Sequence, residues 1–174
     1  MDIYDIELRE ERSLIKSKNY EIVGFLQNTW YQDGTNLEVI KKYTFNQKFQ
    51  QELLLKTMVG QRLFTAFSGC YKFIYWDNCT QLCEMDPNSR FDSNSEHILS
   101  VVRKIKPSIV LGIGAQSQAV IEKNINILRN FQVKKIMFCR HPSSKGVTTR
   151  ELVEFGRNVI DEWIKMKKMR NFYI

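Results

Sequence analysis

The sequence predicts an α/β domain, a three-layer sandwich with a four-stranded, mostly parallel central sheet flanked by helices. Three observations carry this prediction. Short apolar runs rich in β-branched and aromatic residues recur at 20–26, 71–76, 108–111 and 134–139. Stretches with apolar residues at helical spacing lie between these runs and after the last. The resulting alternation of strand and helix implies crossovers that leave the strands parallel and cover both sheet faces. With 174 residues, 43% hydrophobic and 12% aromatic, the chain is long enough for one domain over 1–174 with an ordinary core.

Residues 2–17 read as a helix, because Ile3, Ile6, Leu8, Leu14 and Ile15 fall among charges. Tyr20 to Leu26 is a mostly apolar run and hence a buried strand. It leads into a polar, aromatic loop, Gln27 to Gly34. A helix is expected over 48–67, with Phe49, Leu53, Leu54, Met58, Leu63 and Phe67 as its core stripe. The second strand, Tyr71 to Trp76, runs into Asp77-Asn78-Cys79, and Glu84 to Asn94 is a loop. Ser95 to Ile105 is a helix with Ser95 as candidate cap, stopped by Lys106-Pro107. The third strand, Ser108 to Leu111, is followed by Gly112-Ile-Gly-Ala115 as a tight turn into a helix over 116–131. The fourth strand, 134–139, precedes the loop 140–147. The last helix, 148–169, offers Leu152, Val153, Phe155, Val159, Ile160, Trp163 and Ile164 to the core.

Composition excludes several classes. No apolar run approaches the length that spans a bilayer. The segment Met1-Asp-Ile-Tyr-Asp-Ile-Glu7 has acids where a signal peptide has bases, so a cytoplasmic protein with no membrane partner is expected. Cys70, Cys79, Cys83 and Cys139 contain no CxxC spacing, so free thiols, no metal and no cofactor are expected. The net charge of +7 is uneven: residues 1–102 carry 11 bases against 14 acids, and 103–174 carry 15 against 5. A basic half on a near-neutral body is the footprint of a polyanion partner.

In parallel sheets, ligands bind beyond the carboxyl ends of the strands. The loops placed there are 27–34, 77–94, 112–115 and 140–147. Gly112-Ile-Gly-Ala115 lacks the third glycine of a dinucleotide fingerprint, and the next strand ends in Cys139-Arg140 without an acidic ribose ligand. His141-Pro-Ser-Ser144 is the sharpest feature: one of two histidines beside Arg140 and Lys145, with hydroxyls and amides suited to phosphate. Nearby cations disfavour imidazolium, leaving a neutral hydrogen-bond donor. Asn28 and Asn78 follow the first two strands, and a carboxamide matches the O4 and N3–H edge of uracil.

The order of these parts resembles the uracil-DNA glycosylase superfamily. Its members carry a motif such as GQDPYH, GxNPG or GEAPG after the first strand and an Asn after the second. A Lys-Pro then precedes a strand ending LG-x-x-A, and an HPS loop follows the last strand. Here Leu26-Gln-Asn-Thr-Trp-Tyr31, Asn78, Lys106-Pro-Ser-Ile-Val-Leu-Gly112-Ile-Gly-Ala115 and His141-Pro-Ser143 stand in that order, over roughly residues 20–165.

The resemblance implies roles residue by residue. Asn28 orients the attacking water, and Gln27 lies against the base through its backbone. Asn78 reads the base edge, and His141 donates to the uracil O2. Phe45, or its rival Trp30, stacks on the base. Ser143, with Ser144, Lys145 and Arg140, holds DNA phosphate. It implies a monomeric enzyme acting on single- or double-stranded DNA, located in the cytoplasm, nucleoid or nucleus wherever the DNA is. The sequence departs from the family where Thr29 replaces the proline of the first motif, and no Gly precedes Gln27. The alternative is a catalytically silent member that binds DNA, a nucleotide or a protein.

Overall fold

A computed structural model describes residues 20–27, 29–30, 57–79, 83–84 and 95–171, with backbone alone at 29, 30, 83, 84, 170 and 171. The expected helix at 2–17, Asn28, Phe45, the stripe residues Phe49, Leu53 and Leu54, and most of the 84–94 loop lie outside the described residues.

In chain order the elements are β1 (Ile22–Leu26), β2 (Thr29–Trp30), α1 (Met58–Ala66), a 3-10 turn (Tyr71–Phe73), β3 (Ile74–Asn78), β4 (Cys83–Glu84), α2 (Ser95–Ile105), β5 (Ile109–Ile113), α3 (Ala115–Lys123), α4 (Ile125–Asn130), β6 (Lys135–Cys139) and α5 (Thr149–Asn171). The main sheet is four-stranded, ordered β3-β1-β5-β6, and every pairing in it is parallel. The chain steps from β1 to one side and returns for β5 on the other. The strand order therefore reverses between β1 and β5, where open α/β sheets form a crevice. Among the described residues no helix is long and apolar enough to cross a membrane.

Alternation along each strand sends side chains to two cores. Ile22, Leu26, Ile74, Trp76, Leu111 and Ile113 pack with Leu63, Phe67, Leu152, Val159 and Trp163 of the α1–α5 layer. Val23, Phe25, Tyr75 and Val110 pack with Ile98, Val101, Val102, Ile121 and Leu128 of the α2–α4 layer. Burial on both faces is why β1 and β5 read as continuous apolar runs.

Two strand glycines make room for rings on the neighbouring strand. Gly24 is paired with Trp76 and Gly112 with Phe138. A Cβ at Gly24 would overlap the indole, and one at Gly112 would sit 2.7 Å from Phe138 Cδ1. Gly112 is thus a strand residue, and the turn read over 112–115 shrinks to Gly114.

Other boundaries differ from the sequence reading. Thr57 has extended backbone (φ −88°, ψ 153°) and caps α1 by accepting from the Gly60 amide at 2.9 Å, so one helix over 48–67 is interrupted there. Met58, at the first position of α1, is 64% exposed, and Ile164, one residue past buried Trp163, is 40% exposed. Neither belongs to the core, because both point off the sheet-facing side of their helices. The helix expected over 116–131 breaks at Asn124, whose Nδ2 donates to Val120 O and Ser95 Oγ. Ser95 Oγ therefore ties α2 to the α3–α4 junction. At the end of α2, Lys106 adopts φ +54° ahead of Pro107, as expected of a helix stop. Thr148 and Glu151 form a reciprocal capping box at α5: the Glu151 amide donates to Thr148 Oγ1 (3.1 Å), and the Thr148 amide donates to Glu151 Oε2 (2.7 Å).

Candidate functional site

The strand ends meet around Gly114. Its amide donates to Cys139 O at 2.8 Å, tying the β5 exit to the β6 exit. Its φ of +100° favours glycine. A Cβ there would lie 3.0 Å from His141 Cβ and 3.4 Å from Gln27 Nε2. Gln27 and His141 therefore flank one piece of backbone. From the other side, the Cys79 amide donates to Leu26 O (2.9 Å) and Gln27 O (3.2 Å), and the Cys79 thiol donates to Gln27 O at 2.8 Å. Across this edge the order is Asn78-Cys79, Gln27, Gly114, His141, which is the strand order itself. Of the residues singled out from sequence, Gln27 and Asn78 come from adjacent strand ends, and His141 lies one strand beyond Gln27, across Gly114. The 27–34 and 77–94 segments are not pure loop, since β2 and β4 pair in parallel with Thr29 opposite Cys83 and Trp30 opposite Glu84.

His141 has a defined tautomer. The Ser143 amide, which can only donate, points at Nδ1 from 3.3 Å, and Ser143 Oγ lies 2.7 Å from the same nitrogen. Nδ1 is therefore the acceptor and Nε2 carries the proton. Burial pushes the imidazole down to about 4 from 6.5, so at neutral pH it is an uncharged N–H donor. Because the folded value lies below the unfolded one, this group's contribution to stability is complete above about pH 6.5. It is lost as pH falls toward about 4. An NMR titration of the imidazole should find a midpoint near 4 for His141; a midpoint near 6.5 would mean the ring is solvated.

The 140–147 loop is braced from within and from outside. The Ser144 amide donates to His141 O at 2.9 Å, the Val147 amide to Ser144 O at 3.2 Å, and Arg140 Nη2 to Lys145 O at 2.7 Å. Arg62 of α1 donates through Nη1 to Pro142 O and through Nη2 to Val147 O at 2.6 Å, clamping both ends of the loop. Sequence reading gave no sign of this, because the partners are 80 and 85 residues apart. Arg62→Ala should cost about 1–3 kcal/mol and speed amide hydrogen exchange at Ser144 and Val147. Unchanged exchange at those amides would show that the clamp does not hold the loop.

A second unanticipated pair lies beside Asn78. Asp77 Oδ1 accepts from the Asn78 amide at 2.7 Å, and Asp77 Oδ2 lies 3.1 Å from Nε2 of His97 on α2. The His97 side chain is only 4% exposed. Its position beside Ile98 on the buried face of α2 is the one trace this pair leaves in the sequence.

Ser143, Ser144, Lys145 and Arg140 are exposed on the loop, with the Ser143 hydroxyl turned to the imidazole. Asn28, Phe45 and the Trp30 side chain lie outside what the structure describes. Burial pushes the Cys70, Cys79 and Cys139 thiols up to about 12, so they stay protonated. Among the described residues no three His, Cys, Asp or Glu side chains gather as a metal site requires. Comparison with protein-family models, curated proteins and solved structures returned no match.

Proposed function

We propose that the protein is a DNA base-excision glycosylase that hydrolyses the N-glycosidic bond of uracil or a related deaminated base. The observation that carries this reading is the neutral His141 imidazole. Its Nδ1 is occupied by Ser143 and its Nε2–H is left to donate, and it shares the Gly114 backbone with Gln27.

In this reading the bond between the sugar C1′ and the base nitrogen breaks with its electron pair leaving on the base. The developing charge at O2 is met by the His141 Nε2–H, a donor fixed before the reaction begins. A neutral donor suits an anionic leaving group. Its N–H stabilises the charge by hydrogen bonding, and a neutral imidazole is too weak an acid to lose that proton to the base. The Asn78 carboxamide accepts from N3–H and donates to O4. Asn28 orients the water whose oxygen bonds to C1′ as the base leaves; the proton that water sheds goes to solvent, from which the departed base anion takes one, and Phe45 or Trp30 stacks on the base. Ser143, Ser144, Lys145 and Arg140 receive the phosphates of an extruded nucleotide. The protein acts as a monomer, in whichever of the cytoplasm, nucleoid or nucleus houses the DNA. Asn28 and Thr29 in the first motif favour a second reading, a silent relative that binds DNA, a nucleotide or a protein without cleaving.

The deciding experiment is single-turnover cleavage of single- and double-stranded oligonucleotides carrying uracil, hypoxanthine or xanthine. The enzyme reading expects abasic product from at least one substrate and its loss in Asn28→Ala and Asn78→Ala. Tight binding with no cleavage of any substrate would establish the silent reading instead.

A further inference from the structure

The excess positive charge lies at the edge of the sheet opposite the candidate site. Of the bases in 103–174, Lys123, Arg140, Lys145 and Arg150 lie toward the carboxyl edge, Lys123 beside Asn124, which bonds Ser95 at the start of α2. There, with Arg62, they share the edge with Asp77, Glu96 and Glu151. In a parallel α/β sandwich the crossover helices all end at the amino edge. Here α2, α4 and α5 each end in bases.

The backbone places those ends together. The Ser108 amide donates to Glu21 O at 2.9 Å and the Lys134 amide to Ser108 O at 2.9 Å, so the entries to β1, β5 and β6 are level. The end of α5 is fixed to the same edge. Trp163 Nε1 donates to the Glu21 carboxylate, Lys167 pairs with Glu21 at 3.3 Å, and Lys135 pairs with Glu162 at 3.6 Å. Lys165 also pairs with Glu162, at 2.9 Å.

These pairs use Glu21 and Glu162. Six exposed bases on this edge, Lys72, Arg103, Lys106, Arg129, Lys134 and Lys168, have no carboxylate within ion-pair distance among the described residues. Helix dipoles do not account for them. Each helix C-terminus presents roughly half a negative charge, so the four ends of α1, α2, α4 and α5 call for about 2 positive charges.

We propose that the amino edge of the sheet is a nucleic-acid surface, one that holds the sugar–phosphate backbone without reading bases. The proposal does not depend on the glycosylase reading. The edge is shaped for phosphate rather than for lipid. A membrane-docking surface offers rings for insertion beside its bases. Here cations lie over the rings: Arg103 over Phe131 at 5.0 Å, Lys72 over Phe73 at 5.0 Å and Lys167 over Trp163 at 4.3 Å. Four strands about 4.8 Å apart, with a helical layer on each side, give a face about 15 by 20 Å, enough for several phosphates of one duplex.

The test uses the full chain and a 20-base-pair duplex of arbitrary sequence with no deaminated base, followed by fluorescence anisotropy across a potassium chloride series. Lys106→Glu/Lys134→Glu/Lys168→Glu should weaken binding at least tenfold and flatten the slope of log K against log salt by about 2–3, since each phosphate contact contributes about 0.9. The corresponding triple glutamine variant, which removes charge without reversing it, should do the same to a smaller degree. Lys123→Glu/Arg157→Glu, two exposed bases off this edge, should retain most of the affinity. Wild-type affinity and slope in both triple variants would overturn the proposal. So would a wild-type protein that fails to bind the duplex, or that binds phosphatidylserine vesicles in its place.

Discussion

His141→Ala should slow base release by about 10²–10³-fold with little change in DNA affinity. The size follows from what is removed: one preorganised donor aimed at developing charge is worth about 2.7–4 kcal/mol in the transition state and little before it. The structure makes the donor specific. The Ser143 amide and hydroxyl occupy Nδ1, so the Nε2 proton has a fixed direction. Ser143→Ala keeps the amide contact and should cost far less than His141→Ala. The pH profile adds a second constraint. The ring is uncharged until pH falls to about 4, so the acid limb of the rate should appear there and not near 6.5. If His141→Ala and wild type release base at the same rate, His141 does not meet the leaving group.

Gly156→Ala should lower the melting temperature by about 5–10 °C. A Cβ at Gly156 would overlap the carbonyl oxygen of Ala66 and lie 2.7 Å from its carbon, because α1 and α5 cross backbone to backbone at that point. Alanine is the better helix former by roughly 1 kcal/mol, so the substitution tests packing against propensity. Overpacking against backbone, which has no rotamer to change, stands at or above the upper end of the usual 1–3 kcal/mol. For a domain of this size each kcal/mol moves the midpoint by about 2–4 °C. Gly69→Ala is the control. Its Cβ would meet only the Ile160 side chain, Cδ1 at 3.2 Å and Cγ1 at 4.0 Å, and a side-chain end can move aside. Separation of α1 from α5 would also draw Arg62 away from Pro142 and Val147, so Gly156→Ala should loosen the His141 loop as well. Equal melting temperatures for the two variants would show that the crossing is not close.

The two predictions draw on information of different range, and that range explains what was readable. Helix α2 runs from Ser95 to Ile105, as its pattern indicates. Its apolar spacing and the Lys106-Pro107 stop act within one or two turns of chain. The strands were readable for the same reason, as compact β-branched and aromatic runs. In the sequence Gly112 reads as a turn residue, because a glycine after an apolar run looks the same whether it bends the chain or clears space for Phe138 on the next strand. Met58 and Ile164 fit a core stripe by spacing, which gives a face but not what that face meets, and both are exposed. The site divides in the same way. His141, Asn78 and Gln27 stand out by residue type and place after strands, whereas Arg62, Asp77 and His97 act through partners that no local pattern names.

By itself the sequence determined the alternation of helix and strand, the sandwich that follows from it, and the sign of the charge. Nearest-neighbour sterics and side-chain period act along the chain and need no partner. Only the tertiary structure decided the strand order, the clamp on the His141 loop and the end of the sheet at which the positive charge collects. Each of these is fixed by contacts between segments far apart in sequence, and those contacts exist only once the core has closed.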